Sequence, residues 1–139
     1  MSDVGIGVLG VGRIGRMHAE LIQRQTEGAR LTAVYDVYGE AAESVGAEFG
    51  ARVATTPADL ISADDVDAVA ICSSTDTHID LLIQAAEAGK PVFIEKPLSL
   101  DLAQVDRGLA AVRKAGIAVQ VGFNRRFDPS HAAVRDRVQ

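Results

Sequence analysis

Five short stretches of this 139-residue chain combine residue types and spacings that can do chemistry. Gly10, Gly12 and Gly15 stand at G-x-G-x-x-G spacing between an apolar run (Val4, Ile6, Val8, Leu9) and a helical pattern that opens with Arg13 and Ile14. A loop of this kind cradles phosphates. Its first glycine turns the backbone sharply off a strand, the second leaves no side chain in the path of a pyrophosphate, and the third lets the new helix sit close to the strand. The unpaired N–H groups and positive macrodipole of the helix start would face the same phosphates. Asp36 follows about twenty residues beyond Gly15, where an acid at a strand end accepts hydrogen bonds from ribose hydroxyls. Its plainer reading is a capping or turn aspartate.

Lys96 is one of three lysines and lies at the end of an apolar run, beside Glu95 and before Pro97. An ammonium there can hold a hydroxyl or carbonyl oxygen against a nicotinamide and stabilise developing negative charge. The plainer reading is a lysine paired with Glu95 or reaching to water. Pro97 fixes the backbone and is a candidate cis peptide. Ser73, Ser74, Thr75 and His78 form a polar turn, and Asn124, Arg125 and Arg126 form another. His78 reads as a hydrogen-bonding partner of a helix start or a cofactor ribose rather than a general base. His18 reads as a packed or cofactor-edge histidine, and Cys72 as a small core residue. His131 has too little context to assign. No His, Cys or acid spacing suggests a metal.

The intervening segments supply the elements that must position these residues. Helical spacing predicts a helix over 13–25 with Ile14, Met17, His18, Leu21 and Ile22 inward, then a strand over 31–36, LTAVYD. A helix over 39–50 ends at glycine, a short strand covers 51–54, and Thr56 with Pro57 opens a brief helix to Ile61. Residues 66–72, VDAVAIC, are apolar throughout, as in a strand covered on both faces. A helix from the polar turn to 88–89, a strand over 91–94, a helix over 99–115, a strand over 117–122 and a helix from Ser130 complete the alternation. Strands alternating with helices predict an α/β fold, a doubly wound parallel sheet of Rossmann type in the order 3-2-1-4-5-6. The ligand of such a sheet lies outside the carboxyl ends of the strands, and all five polar stretches fall at that one edge.

Composition narrows the class. Net charge is -5 with no run of like charges, which argues against a nucleic-acid or membrane-surface role. No apolar run is long enough to span a membrane, and a single cysteine fits a reducing, cytoplasmic location. No Arg or Lys occurs in residues 31–51 to neutralise a 2′-phosphate, so NAD is expected over NADP.

With these motifs assembled, GVGRIGRMHAE, VYD, SSTDTHIDL, FIEKPLSL and VGFNRRFDP, the chain resembles the N-terminal domain of the glucose-fructose oxidoreductase and inositol dehydrogenase family (Gfo/Idh/MocA). It is most similar to the inositol 2-dehydrogenase branch. The resemblance implies an NAD(P)-dependent oxidoreductase acting on a sugar or cyclic polyol, with myo-inositol favoured. It implies that Lys96 contacts the substrate hydroxyl and nicotinamide ribose, and that Glu95 and Pro97 shape that corner. Ser73, Ser74, Thr75 and His78 would lie along the cofactor, and Asn124 with Arg125 or Arg126 would reach toward substrate. It further implies a second α/β domain that carries the general base, in a D-x-x-x-H arrangement, and the contacts of a homo-oligomer, a tetramer. The expected division is a dinucleotide-binding domain over 1–122 and a lead-in segment over 123–139. The segment alone is expected to bind NAD and turn over poorly. A noncatalytic NAD-binding sensor or assembly module is the rival reading.

Overall fold

The computed structural model describes residues 3–138. Six parallel strands form one sheet: β1 (Val4–Leu9), β2 (Ala29–Tyr35), β3 (Arg52–Val53), β4 (Ala68–Ile71), β5 (Val92–Ile94) and β6 (Val119–Val121). Their order is β3-β2-β1-β4-β5-β6, so the chain reverses direction across the sheet between β1 and β4, as the alternating pattern predicts. The α-helices are α1 (Arg13–Gln25), α2 (Gly39–Phe49), α3 (Pro57–Ile61), α4 (His78–Glu87), α5 (Leu102–Ala115) and α6 (Pro129–Val138). Short 3-10 turns cover Thr75–Thr77 and Asn124–Phe127.

The strands show two-residue alternation between two cores. Val8 of β1, Ala70 of β4 and Phe93 of β5 face the core formed with α1 and α2. Leu9, Val69, Ile71, Val92 and Ile94 face the core formed with α3 and α4. Both faces are apolar, which is why the sequence reads as unbroken hydrophobic runs.

The expected strands shift by one or two residues at their ends, and two helices differ further. Helix α1 has the expected bounds, but Ile14 and Met17 are exposed while Gly15 and Ala19 are buried. The glycine loop sets the rotation: a Cβ at Gly15 would lie 1.8 Å from the Gly10 carbonyl oxygen, so α1 presses that side onto the loop and turns Ile14 and Met17 outward. Helix α5 begins at Leu102 rather than near Ser99, because the Asp101 side chain accepts the Ala103 N–H at 2.9 Å and caps it there. The Ser99 hydroxyl accepts the Asp101 N–H and belongs to the preceding turn. Helix α6 buries no residue and rests on the Asn124–Phe127 turn.

Candidate functional site

The carboxyl ends of β1, β2 and β4 open into a groove of about 540 Å³, and the glycine loop forms its floor. Gly10 has φ +86°, a left-handed conformation that glycine adopts without strain, and a Cβ there would strike the Ser73 backbone at 2.5 Å. Gly15 is forced by the close approach already described. Gly12 differs from both. It caps α1 without a side-chain hydrogen bond, and a Cβ built on it would meet nothing within 4 Å. The first turn of α1 carries no acid and begins with Arg13, so the helix start at the groove is electropositive and has N–H groups to offer. This cradle fits a pyrophosphate: two glycines are required by the protein, and the third leaves open space where a ligand would approach.

Asp36 follows β2 on the groove wall. One carboxylate oxygen accepts the Val11 N–H at 2.7 Å and the other accepts the Tyr38 N–H at 2.9 Å. It therefore shapes the glycine loop and its own turn, and each oxygen keeps a second lone pair. Val37 and Tyr38, both 77% exposed, extend this wall, and Pro57, Thr77 and Leu81 add to it. Sequence reasoning missed these wall residues. Only the position of Pro57 just after a strand, and of Thr77 within the polar turn, signalled them. Ser73 and Ser74 line the groove as expected, with the Ser73 hydroxyl 2.7 Å from that of Thr77. Thr75 lies half-buried in the following turn.

The next corner is built on β5. Glu95 is tied to β4 by its N–H donating to the Ile71 carbonyl at 2.9 Å. Its carboxylate points inward, and Oε1 receives the His18 Nε2–H at 2.8 Å, the side chains being 18% and 19% exposed. Glu95 Oε2 receives the Lys96 backbone N–H at 3.2 Å. Lys96 is exposed, and among the described residues its ammonium forms no ion pair, so pairing with Glu95 is not its role. The Lys96–Pro97 peptide is cis. Cys72 lies close to Glu95, and burial, reinforced by the Glu95 charge, pushes its thiol up to about 12.

His78 requires a correction. It is 1% exposed, with Nδ1 2.9 Å from the Pro97 carbonyl oxygen and Nε2 3.0 Å from the Ser73 carbonyl oxygen. Both ring nitrogens face protein carbonyl oxygens, and the tautomer decides which one receives the ring N–H, so the imidazole braces the loops beneath the site instead of reaching a ribose. Asn124, Arg125 and Arg126 are exposed on the turn after β6, and the Arg125 guanidinium lies 3.7 Å from Asp128. Among the described residues no cluster of His, Cys, Asp and Glu could hold a metal, and no helix is long and apolar enough to cross a membrane.

A parallel sheet in this order with a glycine cradle at its switch point defines a dinucleotide-binding Rossmann domain. A family model described as "Oxidoreductase family, NAD-binding Rossmann fold" (GFO_IDH_MocA) matches residues 4–123, and the chain belongs to that family. It is 45% identical over 135 residues to the inositol 2-dehydrogenase of Rhizobium meliloti, covering 97% of this chain and 40% of that protein. It is 44% identical over 135 residues to the myo-inositol 2-dehydrogenase of Thermotoga maritima, covering 96% of this chain and 40% of that one. The structure of scyllo-inositol dehydrogenase from Lactobacillus casei with bound NAD(H) and scyllo-inositol superimposes with a TM-score of 0.92 at 32% identity, over 99% of this chain and 41% of that one. The chain thus spans about 40% of the length of the curated relatives it matches.

Proposed function

We propose that this chain is the dinucleotide-binding part of an NAD-dependent oxidoreductase that acts on a ring hydroxyl of a cyclic polyol, with myo-inositol the favoured substrate. The observation that carries the reading is the Lys96 ammonium, exposed and without an ion pair among the described residues at the end of β5, one strand removed from the glycine cradle's neighbour β4. Gly10, Gly12 and Gly15 with Arg13 and Ile14 would hold the pyrophosphate, Asp36 the adenosine ribose, and Ser73, Ser74 and Thr75 the adjoining wall. Bound NAD supplies the hydride acceptor. Lys96 orients the substrate oxygen and stabilises the negative charge that grows on it as the hydroxyl proton departs. Asn124, Arg125 and Arg126 lie where a polyol bound over this edge would meet them.

The departing proton needs a base, and the three histidines of this chain do not supply one. His78 is buried with both nitrogens facing protein carbonyl oxygens, His18 is committed to Glu95, and His131 faces Asp128 at 3.5 Å. As the family resemblance implies, the base would be supplied by the second domain that family members carry, and the segment alone would bind NAD and turn over poorly. NAD is preferred over NADP, since residues 31–51 bring no cation to the ribose wall. A noncatalytic sensor would need the cradle but would have no use for an unpaired lysine at the next strand end. The test is steady-state oxidation of myo-inositol by the complete gene product and its Lys96→Ala variant. Turnover should fall by about 100-fold or more, as for loss of one charge-stabilising donor; unchanged turnover would make Lys96 structural.

A further inference from the structure

We infer that His18 is a positioning residue for Lys96: by holding the Glu95 carboxylate inward, it keeps the adjacent acid from capturing the ammonium, which stays free for a substrate oxygen. This rests on the role proposed for Lys96. Glu95 and Lys96 are sequence neighbours of opposite charge, yet the side-chain contact formed at this corner is the His18–Glu95 hydrogen bond at 2.8 Å. An ionised carboxylate only accepts, so His18 Nε2 carries the proton between them. The pair is mostly buried. The His18 ring lies 4.9 Å from the Phe93 ring at a 60° tilt, and a Cβ on Gly122 would sit 3.1 Å from Glu95 Oε1. Gly122 therefore closes the pocket around this carboxylate without crowding it.

Removing the imidazole would leave a mostly buried carboxylate without its main donor, a costly state that it escapes by turning outward. The nearest cation along the chain in that direction is Lys96. On its other side the chain is packed, because the Pro97 carbonyl oxygen lies 2.9 Å from His78 Nδ1 of α4, on the opposite face of the sheet from α1. Loss of His18 thus changes the charge partner of Lys96 while its backbone stays packed. His18 also belongs to the helix whose first turn lines the groove, so the element that meets the phosphates restrains the lysine's competitor as well.

The experiment uses trace acetylation of the folded chain with acetic anhydride. Lys96 labelling is read by peptide mass spectrometry against Lys114, which is exposed on α5. An ammonium held in an ion pair loses its proton to the buffer less readily, and only the free amine attacks the anhydride, releasing acetate. In His18→Leu, labelling of Lys96 relative to Lys114 should fall about threefold, the size of a partly exposed ion pair. His18→Gln, which keeps a donor for Glu95, should label like the unmodified protein, and His18→Leu combined with Glu95→Gln should regain the original rate. A merely structural histidine would lower the unfolding midpoint without this selective pattern. Unchanged labelling in His18→Leu, or slowing that persists in the double variant, overturns the inference. If His18→Leu does not fold, His18→Asn, whose amide is too short to reach Glu95, is read the same way. Calorimetry with NAD on the unmodified chain separates the two readings: no binding overturns the proposed function, whereas the labelling pattern alone decides the role of His18.

Discussion

The Asp36 carboxylate accepts the Val11 N–H at 2.7 Å, so the acid that ends β2 and the phosphate-type loop that follows β1 form one hydrogen-bonded unit. Replacing Asp36 therefore acts twice. Asp36→Ala removes acceptors from the Val11 and Tyr38 N–H groups and should destabilise the fold by about 2 kcal/mol, measured by urea unfolding. It should also weaken NAD binding at least tenfold, as read by calorimetry, and narrow any discrimination against NADP.

Gly12 and Gly15 are neighbours in the loop with opposite environments. Gly15→Ala places a Cβ 1.8 Å from the Gly10 carbonyl oxygen, and α1 must shift to admit it. A loss of about 3 kcal/mol or more is expected from such overpacking. Gly12→Ala meets nothing within 4 Å, so its unfolding midpoint should barely move while NAD affinity drops at least tenfold. Equal effects of the two substitutions on stability would contradict the assignment of Gly12 to the ligand.

The Cys72 thiol, pushed up to about 12 by burial and then by the Glu95 charge, stays protonated and unreactive in the native protein. Iodoacetamide should modify it far more slowly in buffer than in denaturant at the same pH. The unfolded chain ionises this thiol near its ordinary value of 9.0, whereas the folded chain holds the proton until about 12. Its contribution is thus complete below pH 9 and lost as pH rises toward 12. Cys72→Ala should flatten that alkaline decline.

Asp59 titrates below its usual range because it accepts the Thr55 N–H at 2.9 Å, assisted by Arg52 and the Thr55 hydroxyl. It completes a reciprocal cap of α3, in which the Thr56 hydroxyl accepts the Asp59 N–H at 3.0 Å. A lowered carboxyl stabilises the fold above its unfolded value of 3.8, and that stability is lost as pH falls through the folded value. Carboxyl-carbon NMR should place the midpoint below 3.8, and Asp59→Asn should lessen the loss of stability on acidification.

Much of the architecture is legible in the residues because it depends on local signals. Period-two and period-3.6 patterning, the Thr56–Pro57 helix start, and glycines after α2 and α5 place the elements; their alternation implies a parallel sheet, and the glycine motif points to its order. What escapes is set by contacts between distant segments. The rotation of α1 follows from Gly15 meeting Gly10, not from the apolar stripe, and so Ile14 and Met17 face outward. His78 looks like a ligand contact beside a polar turn, but the Pro97 carbonyl draws it inside. His18 and Glu95 are 77 residues apart, and no local pattern announces their pairing. The glycine cradle and Asp36 were visible as motifs; the wall made by Tyr38, Pro57 and Leu81 needed the fold to bring three elements together.

The central claim is that the groove bounded by Gly12 and Asp36 binds NAD, and calorimetric titration of this chain with NAD and then NADP tests it most directly. The account predicts one NAD per chain, NADP at least tenfold weaker, and loss of the NAD signal in Gly12→Val while the unfolding midpoint holds. NADP binding as tightly as NAD, or full NAD binding by Gly12→Val, would contradict it.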